Sequence, residues 1–410
     1  MFYSLKINLL LFLLLLLVPF FGYCQTPQGA IFASIQLKDG KTLKGQIIWD
    51  NEQGLWEDIF YAVRAKSPVY YFLGKKKPKD LKKKSKDLDL GFMQLWEDKI
   101  PDSSPSFSSS FGDIAYLKPV GNNKVLLGLK DGKTVELDMS KNGDLDDRIF
   151  LYDKSRKRHT LYLKNIKKIT FQSFDPAYRL IRGKPMYGSF LTSIGSYSGY
   201  VSWDDEESFQ YDNIQGRRKD KKVDLKFKDI YEIKAQDDGA LITLVNGKRM
   251  FLNNHDDVDD GNHGIMIMGL DFGAIELEWE HLISARFMPS PTKPKGFKAF
   301  KKTGVLKGVV TTNNGKKYKG QLVYNLNQMY RVEVLTGENN NYEYDIPFYR
   351  IAQIAPQNDK YALVLLKNGT QLLLGDDDNV TEENEGVIVR TRQGKTDYIA
   401  WENIKTIAFE

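Results

Sequence analysis

The sequence predicts an all-β protein of six small five-stranded barrel modules arranged as three tandem pairs. Three observations predict it: a glycine-centred hairpin signal that recurs along the chain, a short aliphatic closing motif that recurs six times, and an alternation of two module types.

The hairpin signal is plainest in LKDGKT, spelled identically at 37–42 and 129–134, and it returns as LVNGKR at 244, TNNGKK at 312 and LKNGTQ at 366. Each places Asp-Gly or Asn-Gly between apolar or alternating residues. Those dipeptides tolerate the positive φ angles that a two-residue β-hairpin demands. A sixth hairpin is expected within IRGKPMYGSFLTSIGSYSGY at 181–200. The closing motif reads FGDIAYL at 111, LKNIKKITF at 163, FKDIYEI at 227, EHLISARF at 280, FYRIAQI at 348 and ENIKTIAF at 402. A turn of 3₁₀ helix brings residues three apart to one side, so this spacing predicts a tight turn feeding a final strand.

Module type sets the longer period. Odd modules carry a glycine with an aromatic four residues on, in GQIIWDNE, GYVSWDDE and GQLVYNLN, whereas even modules carry an acidic stretch and then a strand, NGDLDDRIFL, DDVDDGNHGIMI and DNVTEENEGVIV. The three units then span residues 30–172, 180–288 and 304–410. Residues 289–303, PSPTKPKGFKAFKKT, have the prolines and lysines of an extended linker. Within the first unit, about 74–110 reads as an insertion with a lysine run and a serine-rich stretch. The segments from Gly45 to Asp50, Gly199 to Asp204 and Gly320 to Asn325, with the six closing turns, resemble SH3-like or Sm-like small barrels, and the pairing is similar to uncharacterised secreted bacterial repeat proteins. The resemblance implies a fold and a secreted location, and no catalytic residues.

The first 24 residues have one cation, Lys6, and an apolar run to Phe21 broken only by Pro19, a secretory signal layout too short for a membrane span. Cleavage after Cys24, the sole cysteine, leaves no disulfide, thiol nucleophile or thiolate metal site, so stability falls to apolar cores. The expected location is periplasmic, cell-envelope or extracellular, with no transmembrane segment after cleavage. The net charge of +6 is concentrated locally, which argues against a nucleic-acid binder.

No P-loop, nucleophile elbow or glycine fingerprint is present, so the expected function is non-enzymatic: binding or scaffolding of an envelope or extracellular protein or extended peptide. Candidate ligand-binding residues are Trp49, Asp50, Trp203, Asp204 and Tyr324. Trp49, Trp203 and Tyr324 have a competing reading as core, and Asp50/Glu52 and Asp204/Glu206 one as strand carboxylates facing one side. Asp256, Asp257, Asp259 and Asp260 supply hard oxygens suited to calcium, although DDVDDGN lacks EF-hand spacing and a solvated turn explains it as well; no other cofactor is expected. Lys75, Lys76, Lys77, Lys82, Lys83 and Lys84 suit either a solvated loop or an anionic surface. The alternative function is binding to carbohydrate or an anionic surface, assisted by calcium.

Overall fold

The computed structural model describes residues 29–70, 105–121, 123–141, 143–219, 221–301 and 304–410. The expected signal segment and the lysine run at 75–84 lie outside the described residues. Among the described residues the chain is all-β, with no helix of seven or more residues and none long and apolar enough to cross a membrane.

Unit 1 contains β1 (Phe32–Leu37), β2 (Thr42–Trp49), β3 (Ile59–Val63), β4 (Ser106–Ser110), β5 (Ile114–Pro119), β6 (Lys124–Leu129), β7 (Thr134–Asp138), β8 (Ile149–Tyr152), β9 (Arg158–Leu161) and β10 (Ile166–Phe171). Unit 2 follows with β11 (Tyr187–Thr192), β12 (Ser196–Trp203), β13 (Asn213–Arg218), β14 (Lys221–Lys226), β15 (Ile230–Gln236), β16 (Gly239–Leu244), β17 (Arg249–Leu252), β18 (Ile265–Met268), β19 (Ala274–Leu277) and β20 (Leu282–Phe287). Unit 3 has β21 (Lys307–Thr312), β22 (Lys317–Tyr324), β23 (Val334–Leu335), β24 (Glu338–Asn339), β25 (Tyr342–Pro347), β26 (Ile351–Pro356), β27 (Tyr361–Leu366), β28 (Gln371–Gly375), β29 (Val387–Arg390), β30 (Thr396–Ile399) and β31 (Ile404–Phe409).

The pairing is nested, not serial. In unit 1, β10, β1, β2, β8 and β9 lie side by side as an outer set, while β3 to β7, inserted between β2 and β8, form an inner set. The two sets join edge to edge through β5 and β10. Unit 2 repeats this through β15 and β20, and unit 3 through β26 and β31. Serial modules were the expectation. Each acidic stretch instead returns the chain from an inner set to its outer set. The registers give open sheets, none closed on itself as a barrel.

All six closing motifs form the expected 3₁₀ turns, Phe111–Asp113, Leu163–Asn165, Phe227–Asp229, Trp279–His281, Phe348–Arg350 and Trp401–Asn403, each followed at once by a strand. The hairpin tips differ from expectation. At Asp39-Gly40 and its four counterparts only the glycine has positive φ, 92° at Gly40, and Leu37 N donates to Lys41 O across a three-residue loop. The Asp or Asn is there for its side chain: Asp39, Asp131, Asn246, Asn314 and Asn368 each accept the N–H two residues on.

The units interlock. β19 of unit 2 pairs with β25 of unit 3, and one continuous apolar core runs through both. Ile48 and Phe150, outward on unit 1's outer set, pack with Tyr200, Phe209 and Met268 of unit 2. Val323 and Ile388, their counterparts in unit 3, pack into the core of unit 1. Arg64 and Glu333 form a fully buried ion pair between units 1 and 3, with the guanidinium also over the Phe107 and Tyr330 rings. Residues 289–301 carry one 3₁₀ turn, Phe297–Ala299, and are fastened to the units: Lys295 pairs with Glu57 at 2.6 Å, Phe297 stacks on Trp56 at 4.8 Å and Phe300 lies against Gly112.

Candidate functional site

Trp49, Trp203 and Tyr324 each end the second strand of an outer set and are completely buried. Their polar atoms point at the acidic stretch: Trp49 Nε1 donates to Asp144 O (2.7 Å), Trp203 Nε1 to Asp257 O (2.9 Å) and Tyr324 Oη to Asn379 O (2.5 Å). They are core anchors that fix the return segment, and they offer no stacking platform. The residues after them, Asp50-Asn51, Asp204-Asp205 and Asn325-Leu326, all have positive φ and form tight hairpin turns. Asp50/Glu52 and Asp204/Glu206 are therefore not strand residues sharing a face. Asp50 binds Arg148 at 2.9 Å, Asp204 turns inward and Glu206 stays exposed.

The anchors make Asp144, Asp257 and Asn379 equivalent. Around them stand Asp50 and Gln53 in unit 1, Asp204 and Glu207 in unit 2, and Asn325 and Gln328 in unit 3. In unit 3 two of the three amides meet, Gln328 Nε2 donating to Asn379 Oδ1 at 2.8 Å, while Asn325 Oδ1 accepts from Glu385 N at 2.7 Å. Unit 2 has a carboxylate at all three positions, with oxygens of Asp204, Glu207 and Asp257 within 4.8 Å of one another. Calcium–oxygen bonds of about 2.3–2.6 Å let one ion span such a set. Without a cation the group must hold protons: burial, then the Asp257 and Asp204 charges, push Glu207 up to about 10. Asp257 also accepts Gln215 N, and His255 and His263 flank Asp257 and Asp204 at 3.1 and 3.0 Å. Of the four aspartates proposed for calcium, only Asp257 joins this set. Asp259 caps the local turn by accepting from His255 N and Gly261 N, and Asp256 and Asp260 are exposed.

Sequence reasoning missed a second recurrent carboxylate. Asp58 accepts from Gly54 N and Leu55 N, Asp212 from Ser208 N and Phe209 N, and Glu333 from Met329 N and Tyr330 N. Aligning LWED, FQYD and YRVE on the aromatic anchors exposes the signal.

The surface with the clearest recognition geometry lies across the start of each outer set. Ala33, Gly188 and Gly308 oppose Gly45, Gly199 and Gly320 in the three units. A Cβ on those last three glycines would sit 2.0, 2.3 and 2.1 Å from the carbonyl oxygens of Tyr152, Met268 and Arg390. The bare backbone makes the floor of a shallow groove whose wall positions correspond by register: Phe32, Lys44, Gln46 and Tyr152 in unit 1; Tyr187, Ser198, Tyr200 and Met268 in unit 2; Lys307, Lys319, Gln321 and Arg390 in unit 3.

In units 1 and 2 the chain leaving the unit fills its own groove. Phe174 and Tyr178 each stack 5.0 Å from Phe32, Asp175 pairs with Lys44 at 2.8 Å and Ile181 N donates to Gln46 Oε1 at 3.0 Å. In unit 2, Tyr200 Oη donates to Thr292 O at 2.9 Å and meets Ser290 Oγ at 3.0 Å. Comparison with known proteins found no matching family model, no matching curated protein and no matching solved structure.

Proposed function

We propose that this chain is an exported, non-enzymatic binding or scaffold protein whose units seat extended polypeptide. The observation that carries the reading is the pair of filled grooves in units 1 and 2, where a stretch without secondary structure is held by ring stacking, an ion pair and single hydrogen bonds over a glycine floor. That is a mode of peptide recognition by a sheet, practised on the chain itself. The outer and inner sets are read as six SH3-like or Sm-like modules in three nested pairs, each an open sheet and not a closed barrel, a reading supported by the repeated strand–3₁₀–strand closures. Burial of Trp49 and Trp203 counts against the alternative in which these rings bind sugar.

The test is selection of a random linear-peptide display library on the immobilised protein, beside a polysaccharide fraction of cell envelope. Enrichment of linear peptides is expected. Retention of polysaccharide with no peptide enriched would overturn the reading.

A further inference from the structure

The third groove departs from the other two in a way that specifies a ligand. Where units 1 and 2 present Phe32 and Tyr152 or Tyr187 and Met268, unit 3 presents Lys307 and Arg390. Lys319 stands at the place of Lys44, and Arg392 extends the wall. The result is an open groove of about 710 Å³ lined by four cations, Gln321 and Glu410. Glu410 sits 3.3 Å from Lys319; among the described residues Lys307, Arg390 and Arg392 face no carboxylate partner. No described segment crosses this groove as residues 174–181 and 290–292 cross the others.

We propose that the unit 3 groove binds an extended acidic segment of a partner protein. The proposal rests on the peptide-seating reading above and adds the site and the charge of the ligand. Unit 1 shows the contact in miniature: Lys44 at the same wall position is neutralised by Asp175 of an extended segment, and Gln46 takes a backbone N–H from it. Gln321 occupies the place of Gln46, so the same main-chain contact is on offer, while Lys307 stands where unit 1 has Phe32, the ring that holds Phe174 and Tyr178, and Arg390 stands where it has Tyr152. An aromatic segment like 174–178 would lose its stacking partners there. A segment with carboxylates at alternate positions, all on one face of an extended chain, meets the row of cations.

The test uses the full chain and a fluorescein-labelled peptide of alternating aspartate and alanine, read by anisotropy at low and moderate salt. Binding is expected, with affinity falling as salt rises. Arg390→Glu with Arg392→Glu should weaken it by about tenfold, the scale of two exposed charge contacts turned repulsive. The exposed pair Lys164→Glu with Lys167→Glu in unit 1 should leave it within about twofold. Equal binding of a control peptide of alternating lysine and alanine, insensitivity to the Arg390/Arg392 reversal, or binding of a soluble polyuronate in place of the peptide would overturn the proposal. If library peptides bind but ignore the reversal, this assignment fails and the peptide-seating reading stands; if no peptide of any charge binds, both fail.

Discussion

At the scale of single residues, the triplicated carboxylate and amide positions form an experiment the chain has already run. Gln53 and Gln328 occupy the place of Glu207, so Glu207→Gln fits the local geometry. Glu207 is held protonated to about pH 10, far above its ordinary range. A carboxyl whose folded pKa is raised contributes stability that is full below its unfolded pKa and is lost as pH rises through the folded value. Denaturant unfolding in chelator should therefore show Glu207→Gln gaining on the parent chain between about pH 5 and about pH 9. Parallel pH profiles would contradict the assignment. The anchors give a second test. Trp203→Ala should cost about 3–5 kcal/mol through cavity formation and the lost bond to Asp257 O. Trp203→Tyr should cost much less, because Tyr324 performs the same task in unit 3.

At the scale of elements, the repeats of LKDGKT and of the closing motif made the hairpins and 3₁₀ turns readable. A turn depends on a few adjacent residues, and these carried their own signals. Nesting was not readable from the same residues, because whether β2 runs on to β3 or pairs with β8 is decided by contacts some hundred residues apart in sequence. The wall residues of the grooves were hidden for a related reason: Lys307 and Arg390 meet only through register, and neither belongs to a local motif. Gly45, Gly199 and Gly320 were noticed as repeat markers, and the structure supplies their cause in the carbonyl that approaches each. Gly199→Ala should accordingly destabilise unit 2 by about 1–3 kcal/mol, the usual range for overpacking, measured by denaturant midpoint. An unchanged midpoint would show that the two strands spread apart without cost.

For the whole molecule, the decisive contacts are those between units, which the linker-like composition of residues 289–303 does not disclose. Arg64 and Glu333 carry the greatest consequence because both are fully buried. Arg64→Met leaves Glu333 uncompensated and should cost about 3–5 kcal/mol. Adding Glu333→Gln should restore much of that loss, since glutamine keeps an acceptor for Met329 N and Tyr330 N and removes the charge. Equal costs for the single and double variants would mean the pair is not what joins unit 1 to unit 3. With the units locked together, the filled grooves of units 1 and 2 and the open cationic groove of unit 3 become fixed features of one body. The central claim is that only the third is free to take a partner. Hydrogen exchange of the full chain, with and without the aspartate–alanine peptide, tests this most directly. The account predicts slowed exchange confined to residues 307–310, 319–321 and 390–394, with 32–49 and 187–203 unchanged; protection in unit 1 or 2, or none anywhere, would contradict it.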